Sequence, residues 1–117
     1  MNSIQIHAQD FALTDGLRER VARRLAYALN HGRDMVTRIV VRLSDINGPR
    51  GGVDKCCSIE VRLNGVPPIV VEDVQADLYV AIDRAVERIG RTLDRRLARR
   101  HVLPRLRENR FDPETQP

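Results

Sequence analysis

The chain has little of what catalytic, metal-binding and base-stacking sites are usually built from. It contains two cysteines, no tryptophan and an aromatic share of only 3%. Cys56 and Cys57 are adjacent, which does not match the spacing of zinc ligands, and the histidines are scattered along the chain. We therefore expect no metal site. The scarcity of aromatic side chains also argues against a surface that stacks unpaired bases.

The adjacent cysteines are interpreted as structural residues of a strand. Neighbouring strand residues point to opposite faces of a sheet. We therefore expect one thiol in the core and the other at the surface, without a disulfide between them.

Signals for membranes, export and catalysis are also missing. No apolar run is long enough to span a membrane, and the first ten residues lack the features of a signal peptide. The glycine-rich segment 48–52 lacks the Gly-Lys-Ser/Thr ending of a phosphate loop. The acids Glu72, Asp73 and Asp77 stand where helix capping explains them, and no nucleophile has a recognisable setting. We expect a cytoplasmic protein that is not an enzyme, with no cofactor, no small-molecule substrate and no membrane partner.

The positive net charge is compatible with an anionic partner but does not identify that partner. The net charge is +4, the sequence pI is about 9.8, and Lys55 is the only lysine. A GC-rich genome explains this preference for arginine without any function. Arginine is nevertheless the better planar, bidentate ligand for phosphate.

The most informative segment is residues 77–100, which predicts one long amphipathic helix. Apolar residues recur there at helical spacing and form one face: Leu78, Ile82, Ala85, Val86, Ile89, Leu93 and Leu97. A second set falls in an arc of roughly 80° turned away from that face: Arg84, Arg88, Arg91, Arg95 and Arg99. The row spans roughly 22 Å. The acids Asp83, Glu87 and Asp94 lie to one side of it.

A second helix is predicted over residues 15–31, with Thr14 as its N-cap and Gly32 ending it in a left-handed turn. It carries another basic stripe: Arg20, Arg23, Arg24, Tyr27 and His31. Tyr27 either stacks on a partner or covers the flank of the helix. Because it is the only aromatic residue in this stripe, covering the flank is the favoured interpretation. In the longer helix, Gly90 is either merely tolerated or packs closely on a neighbour, and the sequence leaves this open.

Alternating patterns predict four strands, over residues 3–8, 37–44, 56–63 and 69–72. Asn64-Gly65 is a hairpin signal, but the prolines that follow indicate a connection longer than two residues. The order strand, helix, three strands, helix predicts an α+β fold with both helices on one face of a four-stranded sheet and a right-handed first crossover. The other face is expected to carry Gln5, His7, Arg42, Glu60 and Arg62. We predict one domain over residues 1–101 and a flexible tail over 102–117.

Two stretches give the chain a resemblance to a known family. They are Leu13-Thr14-Asp15-Gly16-Leu17-Arg18 and Asp77-Leu78-Tyr79-Val80-Ala81-Ile82-Asp83, followed by arginines where the family keeps lysine or arginine. Over about residues 4–100 the chain resembles the ribosome hibernation promoting factors and ribosome-associated translation inhibitors, also called sigma-54 modulation or S30AE proteins. It is similar to the short forms of the family.

The resemblance implies a β-α-β-β-β-α fold similar to a double-stranded-RNA-binding domain. It also implies binding to the small ribosomal subunit, through 16S rRNA near the decoding centre, and a block of translation in stationary phase or stress. The glycine-rich loop after Asn47, the cysteine pair and Gly90 depart from the family pattern. The tail favours weakly a member that holds single ribosomes over one that pairs them.

The RNA-binding hypothesis assigns phosphate contacts to the basic residues of both helices: Arg20, Arg23, Arg24, His31, Arg84, Arg88, Arg91, Arg95 and Arg99. Alone, an arginine stripe is more often a solvated helix face. Two stripes on coplanar helices and the resemblance favour RNA. The alternative is a protein-interaction regulatory module that acts by self-association or by binding a partner.

Overall fold

The computed structural model describes residues 4–9, 12–46 and 54–111, with side chains described as far as Arg99. The described elements follow the expected order, with one short 3-10 turn added after the first helix. They are β1 (Ile4–Gln9), α1 (Asp15–Ala28), the 3-10 turn (Asn30–Gly32), β2 (Val36–Asp45), β3 (Lys55–Leu63), β4 (Val66–Gln75) and α2 (Leu78–Phe111). The α+β prediction is confirmed.

The strands form one mixed sheet in the order β1-β2-β3-β4. β1 pairs with β2 in parallel, with Ile6 opposite Val41, as a strand–helix–strand crossover requires. The β2–β3 and β3–β4 pairs are antiparallel, and Val41, Ile59 and Val71 lie side by side across them. β1 and β4 are therefore the edge strands.

Both helices cover the same face of the sheet and enclose the core. Apolar residues at helical spacing in α1 and α2 meet alternate residues of the strands. The buried set includes Leu17, Val21, Leu25, Leu29, Ile39, Val41, Leu43, Cys57, Ile59, Val61, Ile82, Ala85, Val86, Ile89 and Leu93. Within the described ranges, no helix combines the length and apolar character needed to cross a bilayer.

Both helices begin as their sequences predict. Thr14 has an extended backbone, and its hydroxyl accepts a hydrogen bond from the amide of Leu17 at 3.1 Å. At the start of α2, Asp77 accepts one from the amide of Tyr79 at 2.8 Å. Each cap satisfies a backbone N–H that the helix itself leaves without a partner.

The last strand is longer than predicted, and the connection before it is shorter. β3 ends at Leu63 and β4 begins at Val66, so Asn64 and Gly65 form a two-residue turn in which Gly65 has φ +79°. The prolines at 67 and 68 lie inside β4. β4 is an edge strand, and its register with β3 is irregular at this point, between the Val61–Ile69 and Leu63–Val66 pairs. Edge strands and bulges are the places in a sheet where residues without an amide donor are tolerated. The sequence interpretation of these prolines as loop residues was wrong.

The long helix also runs past its expected end at Arg100. It continues to Phe111, although a proline in a helix interior, here Pro104, costs about 3 kcal/mol. Leucine, arginine and glutamate around it favour helix. The segment expected to be a flexible tail therefore begins as helix, and residues 112–117 lie outside the described part. The division into a domain and a tail stays a prediction.

Two glycines allow close approaches of the backbone. A Cβ at Gly90 would lie 3.0 Å from the carbonyl oxygen of Ala28, so α1 and α2 touch there. Close packing on a neighbour thus explains Gly90. At Gly32 a Cβ would lie 2.7 Å from a methyl carbon of Leu93. Gly32 is buried in the 3-10 turn and does not have the positive φ that a left-handed helix end needs.

Both cysteines are buried, which corrects the expectation that one would be at the surface. Cys57 lies in the core, and burial raises the pKa of its thiol to about 12. Cys56 points to the opposite face, but Ser44 and Val74 flank it across the sheet. Its Sγ lies 3.5 Å from a carboxylate oxygen of Glu72. Burial and this carboxylate raise the pKa of Cys56 as well.

The outer face of the sheet carries the five polar residues that the sequence places there. Gln5, His7, Arg42 and Arg62 are exposed there, whereas Glu60 is half-buried. Where β2 ends and β3 begins, the ammonium of Lys55 lies 3.1 Å from carboxylate oxygens of Asp45 and of the fully buried Asp54. These hydrogen bonds raise the pKa of Lys55. A carboxylate buried this deeply requires such a partner. The glycine-rich loop between these acids, residues 47–53, lies outside the described residues.

Candidate nucleic-acid interface

The arginine row of α2 lies on the solvent side of the helix, because the apolar stripe of the same helix faces the sheet. Every residue of the predicted binding set is exposed: Arg20, Arg23, Arg24, His31, Arg84, Arg88, Arg91, Arg95 and Arg99. The guanidinium groups of these arginines and the imidazole of His31 are therefore accessible to a partner. That they contact RNA stays a prediction.

A groove of about 560 Å³ runs between the arginine row and edge strand β4. Arg88, Arg91 and Arg95 line it from the helix, and Val70, 62% exposed, lines it from the strand. Arg88 donates a hydrogen bond of 2.8 Å to the carbonyl oxygen of Glu72. The groove thus places several guanidinium groups along a sheet edge, within reach of one extended anionic ligand.

Arg96 also lines this groove. Helical periodicity turns it toward the apolar side near the end of the predicted helix, which predicts contact with the sheet edge or the tail and not with RNA. Its guanidinium donates to the carbonyl oxygen of Pro67 in β4. This contact agrees with the sheet-edge alternative. Edge-strand carbonyls point outward and lack a ladder partner, so they accept hydrogen bonds from the helix above. Arg88 and Arg96 therefore hold α2 against β4.

The basic residues of α1 are largely paired with acids. Asp83 of α2 lies 3.3 Å from Arg20 and 3.3 Å from Arg24, so one carboxylate serves both. Arg20 also stacks over the ring of Tyr79, with its guanidinium carbon 4.9 Å from the ring centroid. Arg23 pairs with Glu19 one turn earlier, at 3.0 Å.

A row of carboxylates separates the two basic stripes. Asp83 bridges the two helices, and Asp94 lies 3.6 Å from the imidazole of His31. Glu87 lies between them along α2, 3.9 Å from Arg91. The sequence places these acids beside the arginine arc, and the structure shows that this side faces α1. The placement of both helices on one side of the sheet suggests that the two stripes could merge into one broad basic surface. The carboxylates between them interrupt that surface.

Tyr27 does not cover the flank of α1, so the favoured sequence interpretation was wrong. Its side chain is 88% exposed, whereas Tyr79 is 46% exposed and lies under Arg20. Helical periodicity places Tyr27 beside Arg23 and Arg24, away from the core. A single sequence does not reveal whether a flanking aromatic will find a neighbour to pack against.

Two ion pairs of this surface, Arg23–Glu19 and Arg91–Glu87, are exposed and weak. Pairs between exposed side chains contribute about 0–1 kcal/mol and are screened by salt. A phosphate can therefore compete for these arginines, since a charge-assisted bidentate contact is stronger than an exposed pair. No group of three or more metal-ligating side chains comes together among the described residues. The chemistry that this surface supports is reversible binding of an anion.

The chain matches one family model and is similar to solved structures. Residues 4–101 match the family model described as sigma 54 modulation protein / S30EA ribosomal protein. The chain is similar to the N-terminal domain of Protein Y from Thermus thermophilus, with 31% identity and a TM-score of 0.67 over 81% of this chain and 98% of that one.

A second solved structure, a ribosomal subunit interface protein from Coxiella burnetii, has a TM-score of 0.70 at 21% identity, over 82% of this chain and 98% of that one. At this identity the likeness concerns the fold. None of the curated proteins matches the chain.

Proposed function

Because the chain belongs to the sigma 54 modulation protein / S30EA ribosomal protein family, we propose that it is a ribosome-associated translation inhibitor. It binds rRNA of the small subunit near the decoding centre. In that position it blocks the access of messenger and transfer RNA in stationary phase or under stress. The partner is the 16S rRNA of the small subunit, and binding needs no cofactor and no turnover.

The observation that carries this proposal is the row of exposed arginines along α2. Arg84, Arg91 and Arg95 are exposed, and the core packing of α2 holds the backbone that presents them. An arginine row on a rigid helix meets a phosphate backbone without a cost for ordering the protein backbone, so only the side chains have to be immobilised. Each contact releases counterions and adds affinity without reading sequence.

The opposite side of the molecule supports the same orientation. There the outer sheet face mixes both signs of charge, with Arg62 only 3.2 Å from Glu60. The helical side presents the longer uninterrupted run of arginines. The protein therefore approaches rRNA with α2 and the β4 groove, and the body of the domain occupies the channel.

Charge reversal on α2 tests the proposal. The triple variant R84E/R91E/R95E is expected to lose co-sedimentation with purified small subunits, because three exposed phosphate ligands become repulsive. Arg88 is left unchanged, since it bonds to Glu72 of β4. Circular dichroism of the variant should match that of the unmodified protein.

A matched control separates the site from net charge. The variant R38E/R42E/R62E makes the same charge change on the outer sheet face and should still co-sediment. Equal loss in both variants would indicate general electrostatic attraction. Retention of the α2 variant on the small subunit would show that the site assignment is wrong.

A further inference from the structure

A second feature of the helical side is a cleft of about 380 Å³ between the C-terminal part of α1 and the middle of α2. Tyr27 and Arg24 line it from α1, and Glu87, Arg91 and Asp94 line it from α2. Pockets for small ligands occupy about 300–1,000 Å³. The cleft is therefore large enough for one planar ring system.

Tyr27 supplies the aromatic surface of this cleft. With 88% of the side chain exposed, its ring has an open face in water. A planar partner that covers this face removes apolar area from water, at roughly 25 cal/mol per Å². Nucleobases stack on tyrosine in this way. An exposed tyrosine beside two arginines thus offers a platform for a nucleotide.

The carboxylates of the cleft determine which part of a nucleotide fits. Glu87 and Asp94 are seven residues apart on α2, so they lie on the same side, about two turns from each other. Between them, at Gly90, the two helices touch. Two carboxylates repel a phosphate, but they accept hydrogen bonds from the exocyclic amino group of a base. The cleft therefore suits a base, not a phosphate.

The arginines at the cleft are placed to bind the phosphates on either side of the base. Arg24 and Arg91 come from opposite helices, and both are exposed. Their pairs with Asp83 and Glu87, at 3.3 and 3.9 Å, leave other N–H donors for a ligand. A base between the helices would have its flanking phosphates near these groups.

We propose that this cleft holds one unpaired RNA base that carries an exocyclic amino group. The base stacks on Tyr27 and donates its amino hydrogens to Glu87 or Asp94. This proposal rests on the RNA-binding function proposed above and adds to it a second kind of contact. The arginine row of α2 binds phosphates without regard to sequence, whereas the cleft prefers cytosine, adenine or guanine over uracil.

RNA duplexes that carry one bulged nucleotide test this preference. At one fixed salt concentration, the full chain should bind a duplex with a bulged cytosine about fivefold more tightly than the same duplex with a bulged uracil. Tyr27→Ala should weaken binding to the cytosine bulge about tenfold and leave binding to the unbulged duplex unchanged. Tyr27→Phe should keep the affinity, because the ring face remains.

Two further variants test whether the preference for cytosine comes from the cleft. Tyr79→Ala removes the other described tyrosine, outside the cleft, and should not change the preference for cytosine. The double variant E87Q/D94N removes the repulsion and should bind the unbulged duplex more tightly. It should bind the two bulged duplexes equally, since an amide donates to uracil as readily as it accepts from cytosine.

The outcomes separate this proposal from the function on which it rests. Equal affinity of the unmodified protein for both bulges, or of Tyr27→Ala and the unmodified protein for the cytosine bulge, overturns the base cleft. If the α2 charge reversal still abolishes small-subunit binding, the proposed function stands without it. If the unmodified protein binds neither small subunits nor any of the duplexes, both proposals fall.

Discussion

At the scale of single residues, two helical glycines with different surroundings show what packing adds to sequence. Gly16, in the first turn of α1, has nothing within 4 Å of a Cβ placed on it, whereas at Gly90 that atom would meet the backbone of Ala28 at 3.0 Å. A glycine in a helix costs up to about 1 kcal/mol relative to alanine. Replacement of Gly16 by alanine can recover that free energy, because there is room for the methyl group. Replacement of Gly90 cannot, because the methyl group would meet α1.

We therefore expect Gly16→Ala to raise the free energy of unfolding by about 0.5–1 kcal/mol. Gly90→Ala should be less stable than Gly16→Ala by about 1–3 kcal/mol, because α1 must move away from α2 to admit the methyl group. Urea denaturation of both variants measures the difference. An equal gain from both substitutions would mean that the helices are not in contact at Gly90.

Cys57 leads to a pH-dependent expectation. Burial raises the pKa of its thiol to about 12, well above that of a thiol in an unfolded chain. Above about pH 9 the unfolded chain releases the proton and the folded chain keeps it. Stability must therefore fall as pH rises, by up to about 1.4 kcal/mol per pH unit for this group.

Replacing Cys57 with alanine removes this contribution. The variant should be less stable at pH 7, because it leaves a small cavity, but its stability should fall less steeply between about pH 9 and 11. Urea denaturation at several pH values gives both slopes. The Cys56→Ala variant provides the comparison on the opposite face of the sheet. Parallel slopes for the unmodified protein and Cys57→Ala would contradict the assignment.

The sequence predicts the face to which each of these side chains points better than it predicts how exposed the side chain is. The alternation of the strand correctly places Cys56 and Cys57 on opposite faces, but Ser44, Glu72 and Val74 come from other strands and bury Cys56. Tyr27 shows the reverse error, since no neighbour covers it. Periodicity fixes where a side chain points, whereas burial depends on residues distant in the chain.

At the scale of elements, the arginines of α2 divide into two kinds. Arg88 and Arg96 donate hydrogen bonds to backbone carbonyls of β4, whereas Arg95 contacts only Thr92 of its own helix among the hydrogen bonds and ion pairs of the described residues. The first kind holds the helix on the sheet edge. The second kind makes no such contact with the described residues outside α2 and can bind a ligand.

Alanine substitutions separate the two kinds. Arg96→Ala should lower the free energy of unfolding by about 1 kcal/mol, because the hydrogen bond and the packing of the side-chain stem are lost. Arg95→Ala should change it by less than about 0.5 kcal/mol, yet weaken small-subunit binding. Thermal denaturation and co-sedimentation on the same samples decide this. A stability loss at Arg95 equal to that at Arg96 would contradict the division.

The extents of the strands and helices were less predictable than their kinds and order. Periodicity and capping residues give both helices and all four strands, because each carries one apolar face. Pro67 and Pro68 concealed the first part of β4, since strands tolerate proline at sheet edges and bulges, and the sequence does not state where these lie. Pro104 likewise suggested a helix end that does not occur.

At the scale of the whole molecule, the net charge of +4 is unevenly arranged. The side of α2 toward β4 carries arginines, and the side toward α1 carries Asp83, Glu87 and Asp94, which offset the cations of α1. The positive potential is therefore concentrated along one side of α2. The sequence identifies the basic residues. It does not show which of them pair with acids on the other helix, because that depends on how the two helices pack.

This arrangement sets the salt dependence of binding. If five or six arginines neutralise rRNA phosphates, log K for the small subunit should fall against log salt with a slope of about −4 to −5. Removing one outward arginine, as in Arg95→Ala, should make the slope less steep by about one. Tyr27→Ala should weaken binding without changing the slope, because stacking releases no counterions.

Titrations of small subunits with the three proteins at several salt concentrations measure these slopes. A slope near zero for the unmodified protein would exclude phosphate neutralisation as the source of affinity. An unchanged slope for Arg95→Ala would instead remove that residue from the contact. A smaller slope for Tyr27→Ala would mean that its loss displaces arginines as well, since only lost phosphate contacts reduce the number of ions released.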